Sequence, residues 1–381
     1  MGMRVAIFSA SYPPHMGGVE NFTQNLAAAL SARGDAVTVV TNDTNGVGAG
    51  LVREGDFDVL RLPCLPLVDG RLPLPKCNGK RRKLLKELAS KEFDGVLVNA
   101  RFYPHSLLGM RMARRWGVRP VVLDHGSAYL SFSNPVLDPC VRLYERAVTA
   151  LGRRYRPAYF GISRKSAEWL RTFGIEAEGV ITNSIDAEKF RAAAMGRDFR
   201  DELALEDGTF LVAFVGRLIP EKGVRSLIEA SRSEELASRH VVFALAGDGP
   251  LAEDVRAAEG DGLRWLGRLG AQDVSALLQQ ADALCLPSRS EGFSTTLLEA
   301  AACGCPAVVT DVGGARELIP DVSCGTIIDS ASPVSVTAAF VRLADDRALL
   351  ADQSRNCRQI VEKSFSWDAV AADAEGALLK G

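Results

Sequence analysis

Several features that mark metal centres, disulfide scaffolds and membrane proteins are missing from the sequence. The eight cysteines include no CxxC pair and form no cluster with the four histidines at metal-ligand spacing. One close pair, Cys303 and Cys305, lies in a run of small apolar residues and is typical of buried structural thiols. No apolar run is long enough to cross a bilayer, and the first is shorter than the core of a signal peptide. We therefore expect a globular protein of the reducing cytoplasm.

Charge is divided unevenly along the 381 residues. Residues 1–183 carry 25 Lys and Arg against 16 Asp and Glu, a net +9, whereas the remainder carries 20 against 31, a net −11. The basic residues concentrate at 80–83, 111–115 and 142–156. No aromatic residues interleave them as a base-stacking platform requires, so we expect no nucleic-acid partner. Two interpretations stay open, an anionic membrane surface and ordinary solvated helix faces.

Short apolar segments rich in β-branched residues alternate with helical patterns throughout. The first series of strand-like segments is VAIFSA, AVTVVT, DVLRL, GVLVN, PVVLD and YFGIS, and the rhythm restarts at TFLVAFVG, VVFALAG, LRWLG, ALCLP, PAVVT and GTIID. Such alternation predicts parallel sheets with crossover helices. We therefore expect an α/β chain of two doubly wound, Rossmann-like domains with a hinge near residues 183–186. After Asp329 only helical patterns remain.

The loop after the first predicted strand, SYPPHMGGVENF, places Gly17 and Gly18 at the start of a helix. Bare backbone amides and the positive helix end suit an anion there, although simple turn chemistry explains the pair equally well. Glu20 either contacts a sugar hydroxyl or complements the helix dipole, and His15 lies in the same loop. His125 directly follows the strand segment PVVLD, at the edge where open α/β sheets bind ligands, and the alternative is a structural histidine.

The second predicted domain opens with FVGRLIPEKG, which places Arg217 just after a strand and Lys222 five residues later. Two cations at the carboxyl edge of a sheet suit a diphosphate, arginine through a forked contact and lysine as a point charge. The alternative is that Arg217 caps a turn and that Lys222 is solvated.

Two glutamates, Glu291 and Glu299, stand eight residues apart in PSRSEGFSTTLLEAAA. A helix that begins near Thr295 exposes the amides of residues 293–296 to a second anion and places Glu299 one turn inside. A carboxylate there can accept hydrogen bonds from both hydroxyls of a ribose. For Glu291 alone, a surface acid on a loop is the alternative.

Taken together, GRLIPEKG, ALAGDGP and EGFSTTLLEAAACGCPAVVTDVGG resemble the retaining family 4 glycosyltransferases of GT-B fold. The PPHMGGVE loop, the DHG histidine and the NSID hinge extend the resemblance to nearly the full chain. It implies an N-terminal acceptor domain of residues 1–184, completed by a returning helix at 365–381, and a C-terminal donor domain of residues 185–364. The donor is then expected in the cleft between them.

The resemblance also implies roles for individual residues. His125 and Glu291 lie at the reacting centre, and Glu299 binds the ribose. The donor diphosphate is held by Gly17, Gly18, Arg217, Lys222, Thr295 and Thr296, the donor sugar by Phe293 and Ser294, with His15 and Glu20 as acceptor or sugar contacts. Ser294 stands where glycine is usual and Thr296 where proline is usual, which leaves the donor sugar open.

The chemistry implied by the resemblance is retention at the anomeric carbon with no metal or other cofactor. The leaving phosphate takes the acceptor's proton, and Glu291 as a covalent nucleophile is the alternative. The donor is expected to carry UDP or GDP. The basic first domain favours a lipid-linked or polysaccharide-precursor acceptor, with the protein peripheral on the inner face of the cell membrane.

Three other functional classes are alternatives to glycosyl transfer. A nucleotide-sugar 2-epimerase shares the two-domain architecture, but the pair of glutamates disfavours it. A dehydrogenase requires a GxGxxG turn after the first strand, where this chain has PPHMGGVE. A non-catalytic module that binds nucleotide sugars remains a further alternative.

Overall fold

The computed structural model describes residues 2–14, 17–67, 70, 72–130 and 137–380. The chain divides into two compact units. The first unit comprises Met1–Asn183 and Trp367–Gly381, and the second comprises Ser184–Ser366. The corresponding boundaries expected from the sequence lie after residues 184 and 364.

The helices and strands of the described residues follow in chain order. The first series is β1 (Arg4–Phe8), α1 (Gly18–Ala32), β2 (Ala36–Asn42), β3 (Gly50–Glu54), β4 (Phe57–Leu62), β5 (Cys64–Leu67), β6 (Leu72–Pro75), α2 (Gly79–Ser90), β7 (Gly95–Asn99), α3 (Pro104–Trp116), β8 (Val121–Asp124), α4 (Leu137–Gly152), β9 (Ala158–Gly161), α5 (Arg164–Trp169) and β10 (Gly179–Val180). The second is α6 (Ala187–Ala192), α7 (Phe199–Glu202), β11 (Phe210–Val215), α8 (Val224–Ala230), α9 (Glu234–Ala237), β12 (Val241–Ala246), α10 (Ala252–Ala257), β13 (Leu263–Gly267), α11 (Ala271–Gln280), β14 (Ala283–Leu286), α12 (Thr295–Ala302), β15 (Ala307–Thr310), α13 (Ala315–Leu318), β16 (Thr326–Ile328), α14 (Pro333–Asp345), α15 (Arg347–Ser364) and α16 (Trp367–Leu379). Short 3-10 turns lie at Arg153–Tyr155, Leu170–Phe173 and Pro220–Lys222.

The sheet of the first unit has the strand order β10-β9-β8-β7-β1-β2-β4-β3. Its strands are parallel except β3, which pairs antiparallel with β4 at the edge. The strands β7 and β8 are buried along their whole length, as expected for apolar strands covered on both faces. The edge strand β3 was missed in the sequence because GLVRE is mostly exposed and shows no buried run.

The sheet of the second unit has the order β13-β12-β11-β14-β15-β16 and is parallel throughout. Helix α14 packs on it through Phe340, whose ring lies 5.5 Å from that of Phe243 and 6.2 Å from that of Phe210. The predicted α/β class with two doubly wound parallel sheets is therefore confirmed.

The C-terminal helix α16 packs against α1 and β7 of the first unit, as the sequence analysis expected. Leu378 packs closely on Gly95, where a Cβ would lie 3.2 Å from the leucine side chain. Arg33 at the end of α1 forms ion pairs with Asp368 and Glu375 of α16. Within the described residues, no helix combines the length and the apolar character needed to span a bilayer.

Each sheet has one place where the strand order reverses. In the first unit the chain passes from β1 to β2 on one side and later places β7 on the other side of β1. In the second unit β11 is flanked in the same way by β12 and β14. In open α/β sheets, ligands bind beyond the carboxyl ends of the strands at such a reversal.

Candidate functional site

A cavity of about 200 Å³ lies at the reversal point of the first sheet. The segments that follow β1, β7 and β8 converge on it, together with the first turn of α1. Its lining includes Ser9, Ser11, Glu20, Asn99, Tyr103 and His125. The position matches the rule for open α/β sheets, so this cavity is the candidate site of the first unit.

His125 is held in the wall of this cavity by a hydrogen bond and a ring contact. Its Nε2 lies 2.9 Å from Oδ1 of Asn99, and its ring meets the ring of Phe22 edge-on at 5.0 Å. Burial lowers the pKa of His125 to about 3, so the imidazole is neutral at physiological pH. A neutral, oriented histidine can exchange a hydrogen bond with a ligand in the cavity.

The glycine loop before α1 is partly covered by an acid. The carboxylate of Glu20 lies where a side chain of Gly17 would begin, whereas the space beside Gly18 is open. A phosphate placed over Gly17 therefore requires Glu20 to turn away. His15, predicted to contact acceptor or sugar, lies outside the described residues.

A buried ionic cluster supports the cavity from behind. Both oxygens of Asp124 accept hydrogen bonds from Arg101, at 2.8 and 2.7 Å, and Arg101 also donates to Glu145 at 2.8 Å. Glu145 in turn accepts from the backbone N–H of Leu130 at 2.8 Å. Burial raises the pKa of Asp124 and of Glu145, and the guanidinium of Arg101 opposes this shift.

Neither this cluster nor Asn99 was predicted from the sequence. A polar signal was present, since Asn99 and Asp124 are the last residues of two otherwise apolar strands. Their partners, however, come from other elements and stand 23 to 76 residues away. That separation hides the pairing from any local pattern.

In the second unit, the turn after β11 meets the loop after β14. Nζ of Lys222 lies 2.5 Å from Oε1 of Glu291, and Ser288 Oγ donates to the same oxygen at 2.7 Å. The backbones are also joined, because the N–H of Arg289 donates to the carbonyl of Glu221 at 2.8 Å. Two residues predicted separately from the sequence thus lie in direct contact at the reversal point.

Arg217 lies at the same edge, two residues beyond β11. Its side chain is exposed and forms no ion pair within the described part of the chain. A guanidinium in this state keeps its hydrogen-bond donors available to an anionic ligand.

Helix α12 begins at Thr295, where the sequence analysis expected it. Ser294 is its N-cap, and the Ser294 hydroxyl accepts a hydrogen bond from the N–H of Leu297 at 3.3 Å. Phe293 is buried and its ring lies 5.7 Å from that of Phe365. Thr295 and Thr296 are half-buried in the first turn. A contact of Phe293 with a ligand would therefore come from its backbone.

Glu299 lies one turn inside α12. Burial of its carboxyl raises the pKa to about 7. Both the protonated acid and the carboxylate are therefore present at neutral pH. Carboxyls with strongly shifted pKa values are frequent at functional sites. Among the described residues, no group of three or more His, Cys, Asp or Glu side chains is placed to hold a metal ion.

Two family models match this chain. The model for Glycosyltransferase Family 4 covers residues 16–189, and that for Glycosyl transferases group 1 covers residues 209–346. The chain belongs to the family 4 glycosyltransferases of GT-B fold. Its activity is therefore glycosyl transfer.

Individual relatives agree with this assignment. A GDP-mannose-dependent alpha-(1-6)-phosphatidylinositol monomannoside mannosyltransferase of Mycobacterium tuberculosis is 24% identical, over 97% of this chain and 96% of its own. A UDP-Gal:alpha-D-GlcNAc-diphosphoundecaprenol alpha-1,3-galactosyltransferase of Escherichia coli is 31% identical over 49% of this chain and 50% of its own. HepE of Anabaena, solved in complex with UDP, has the same fold, with a TM-score of 0.75 at 18% identity over 100% of both chains.

Gly223 allows the turn of Lys222 to pack on the loop of Glu291, and its substitution tests this support. Its φ is +71°, and a Cβ there would lie 2.2 Å from the carbonyl oxygen of Pro287. Gly208 is a matched control, with φ of +84° and no atom within 4 Å of its Cβ position. Both changes to Ala incur left-handed strain of roughly 1–2 kcal/mol. We expect Gly223→Ala to lower the free energy of unfolding by about 1–3 kcal/mol more than Gly208→Ala in urea titrations.

Equal destabilisation by the two substitutions would contradict this prediction. It would mean that the Pro287 carbonyl moves aside freely and that the turn is not a fixed support for Lys222.

Proposed function

We propose that the second unit binds a nucleoside-diphosphate sugar of UDP or GDP type, from which the enzyme transfers the sugar to a hydroxyl acceptor. The observation that carries this proposal is the contact of Lys222 with Glu291 beside the exposed Arg217 at the reversal point of the sheet. The amino terminus of α12 and the buried carboxyl of Glu299 add an anion site and a ribose acceptor.

The ion pair with Glu291 orients Lys222 without using up its capacity for phosphate. An ammonium group has three N–H donors, and the contact with Glu291 uses one of them. The other donors can bind phosphate oxygens together with the fork of Arg217. These cations and the helix terminus would stabilise the leaving nucleoside diphosphate, which supports a reaction without a metal.

We propose retention at the anomeric carbon. The bond from the acceptor oxygen to the anomeric carbon forms on the face where the bond to the phosphate oxygen breaks, and that phosphate takes the acceptor's proton. Oε1 of Glu291 accepts from both Lys222 and Ser288, which makes this carboxylate a weak nucleophile. His125 then contacts a sugar hydroxyl, and Glu291 lies at the donor sugar.

The acceptor is proposed to be lipid-linked or a polysaccharide precursor. By their names, the mycobacterial relative acts on a phosphatidylinositol mannoside, and the Escherichia coli relative on a diphosphoundecaprenol-linked sugar. Such acceptors are held at a membrane, so the enzyme must work at a lipid surface. We propose the cytoplasmic face of the membrane, with the protein bound peripherally.

The first unit offers a surface suited to anionic lipid. A groove of about 590 Å³ has apolar residues of α2 and α3 in its lining, including Leu85 and Met112, together with Arg111, Arg114 and Arg115. Helix α4, which carries further arginines, leaves Leu143 70% exposed. Cationic side chains beside exposed apolar ones can bind headgroups and enter the interface.

The donor proposal is tested by thermal-shift screening against UDP, GDP, ADP and their sugar conjugates. A nucleotide that binds the folded state raises the melting temperature. Arg217→Ala is expected to weaken binding by about tenfold or more, the loss of a charged hydrogen bond. The control Arg225→Ala removes an exposed arginine paired with Asp254 at 3.5 Å and should leave binding unchanged. No shift with any nucleotide would overturn the donor proposal, and isomerisation of donor alone would indicate an epimerase.

Donor affinity is expected to depend on pH through Glu299. Its ionised form accepts from both ribose hydroxyls, and its pKa is about 7, so acidification removes the acceptor form. Affinity for a nucleotide sugar should fall about tenfold from pH 8 to pH 6, as measured by calorimetry. The diphosphate diester does not itself titrate in this range. Glu299→Gln should bind more weakly and without this pH dependence, and a flat profile in the wild type would contradict the assignment.

Vesicle sedimentation tests the membrane surface. Binding should require anionic lipid and weaken as salt rises. Leu143→Glu is expected to lower the partition coefficient about tenfold, because it places a charge at the interface. Leu379→Glu is the matched control, a leucine 74% exposed on α16 of the same unit. Vesicle binding that depends on neither salt concentration nor anionic lipid would contradict this proposal.

A further inference from the structure

A chain of hydrogen bonds leads from α1 to the histidine of the cavity. Asn99, 1% exposed at the end of β7, has its Nδ2 2.8 Å from Oγ1 of Thr23 and its Oδ1 2.9 Å from Nε2 of His125. Oγ1 of Thr23 lies 2.7 Å from the carbonyl oxygen of Val19. The proposed function uses His125 and leaves Thr23 and Asn99 without a role.

The direction of every bond in this chain follows from its first acceptor. The carbonyl of Val19 can only accept, so the Thr23 hydroxyl donates to it and presents a lone pair to Asn99. Asn99 must then donate its amide N–H to Thr23, which turns its oxygen towards His125. An amide oxygen can only accept, and therefore Nε2 of His125 carries the proton.

The second neighbour of Thr23 leads to the same direction. Ser9 lies 3.3 Å from Oγ1 of Thr23, and its own hydroxyl donates to the carbonyl of Ser11 at 2.8 Å. Ser9 can therefore only accept from Thr23. Whether the Thr23 hydroxyl donates to Val19 or to Ser9, its proton does not point to Asn99.

We propose that Asn99 is a positioning residue that holds His125 in its Nε2–H tautomer, so that Nδ1 accepts a hydrogen bond from a proton-bearing group of the bound sugar. The inference rests on the proposed function for the identity of that ligand. It assigns to His125 the role of an acceptor, and not of a donor or a general acid.

The surroundings of His125 support a fixed ring with one free nitrogen. Within the described residues Nδ1 has no hydrogen-bond partner, and the residue lines the cavity. Phe22 holds the ring edge-on and is backed by Trp367, the first residue of α16, at 5.7 Å between ring centroids. The returning helix thus braces the histidine through one intervening ring.

The charges near His125 permit this neutral state. On α1 the carboxylate of Glu20 lines the same cavity and favours a protonated imidazole. Behind β7 and β8, Arg101 is paired with Asp124 and Glu145. Burial outweighs these charges and lowers the pKa of His125 to about 3.

The tautomer can be measured directly in the ligand-free protein. Long-range proton–nitrogen spectra of protein with ¹⁵N-labelled imidazoles distinguish the two tautomers, and His125→Gln identifies the signal among the four histidines. We expect a single Nε2–H species that does not change between pH 5 and pH 8. A mixture, an Nδ1–H species or a titration in this range would overturn the proposal. The measurement needs no donor, so it stands even if the proposed function fails.

Asn99→Asp tests whether Asn99 positions His125 or only stabilises the fold. The isosteric carboxylate still accepts from Nε2, but it stabilises the imidazolium and raises the pKa of His125. We expect the His125 signal to titrate between pH 5 and pH 8 and kcat at saturating donor to fall about tenfold for each pH unit below the new pKa. Asn21→Asp places the same charge on an exposed site of α1 and should change neither readout.

Asn99→Ala removes the acceptor entirely. The His125 signal should then become a mixture of tautomers, with a fall in kcat/KM of about tenfold to a hundredfold. An unchanged tautomer in Asn99→Ala, or an unchanged pH profile in Asn99→Asp, would show that Asn99 does not position His125.

Discussion

Parallel strands place all their strand-to-helix loops at one edge of a sheet, and both candidate sites depend on that constraint. In the second unit it brings the turn of Lys222 against the loop of Glu291, although the two residues are 69 apart in sequence. In the first unit it brings Asn99 and His125 together from adjacent strands. Both sites lie where the strand order reverses, which is where open α/β sheets bind their ligands.

The first site also needs charge compensation in a dry interior. Arg101, Asp124 and Glu145 are almost fully inaccessible, and each would be costly to bury alone. Their contacts hold the ends of β7 and β8 and the backbone of Leu130 in place. Ala100, between Asn99 and Arg101, has φ of +64° and also lines the cavity. This left-handed residue turns the chain so that its two neighbours serve different partners, a local strain that is typical of functional sites.

Much of the fold could be predicted from the chain itself. Buried parallel strands need continuous apolar runs, so segments such as GVLVN and VVFALA can be recognised as strands. Ser294 before TTLLEAAA is a typical N-cap and indicates the start of α12. Exposed edge strands escape this logic, as β3 did. Arg217, Lys222 and Glu291 could be predicted as site residues because they lie in glycine-containing loops after strands. Asn99 and Arg101 could not, since a polar residue at a strand end has many uses, and Thr23 is one polar residue within helix α1.

The sequence by itself determined the doubly wound architecture, the start of helix α12 and the position of Arg217, Lys222 and Glu291 in loops after strands, because these follow from local periodicity and turn chemistry. Only the tertiary structure decided which of them meet. The pairing of Lys222 with Glu291, the raised pKa of Glu299 and the bond from His125 to Asn99 depend on distances across elements and on exclusion of water. Hydrogen-bond direction and burial are properties of the packed chain, and the spacing of residues along the sequence does not determine either of them.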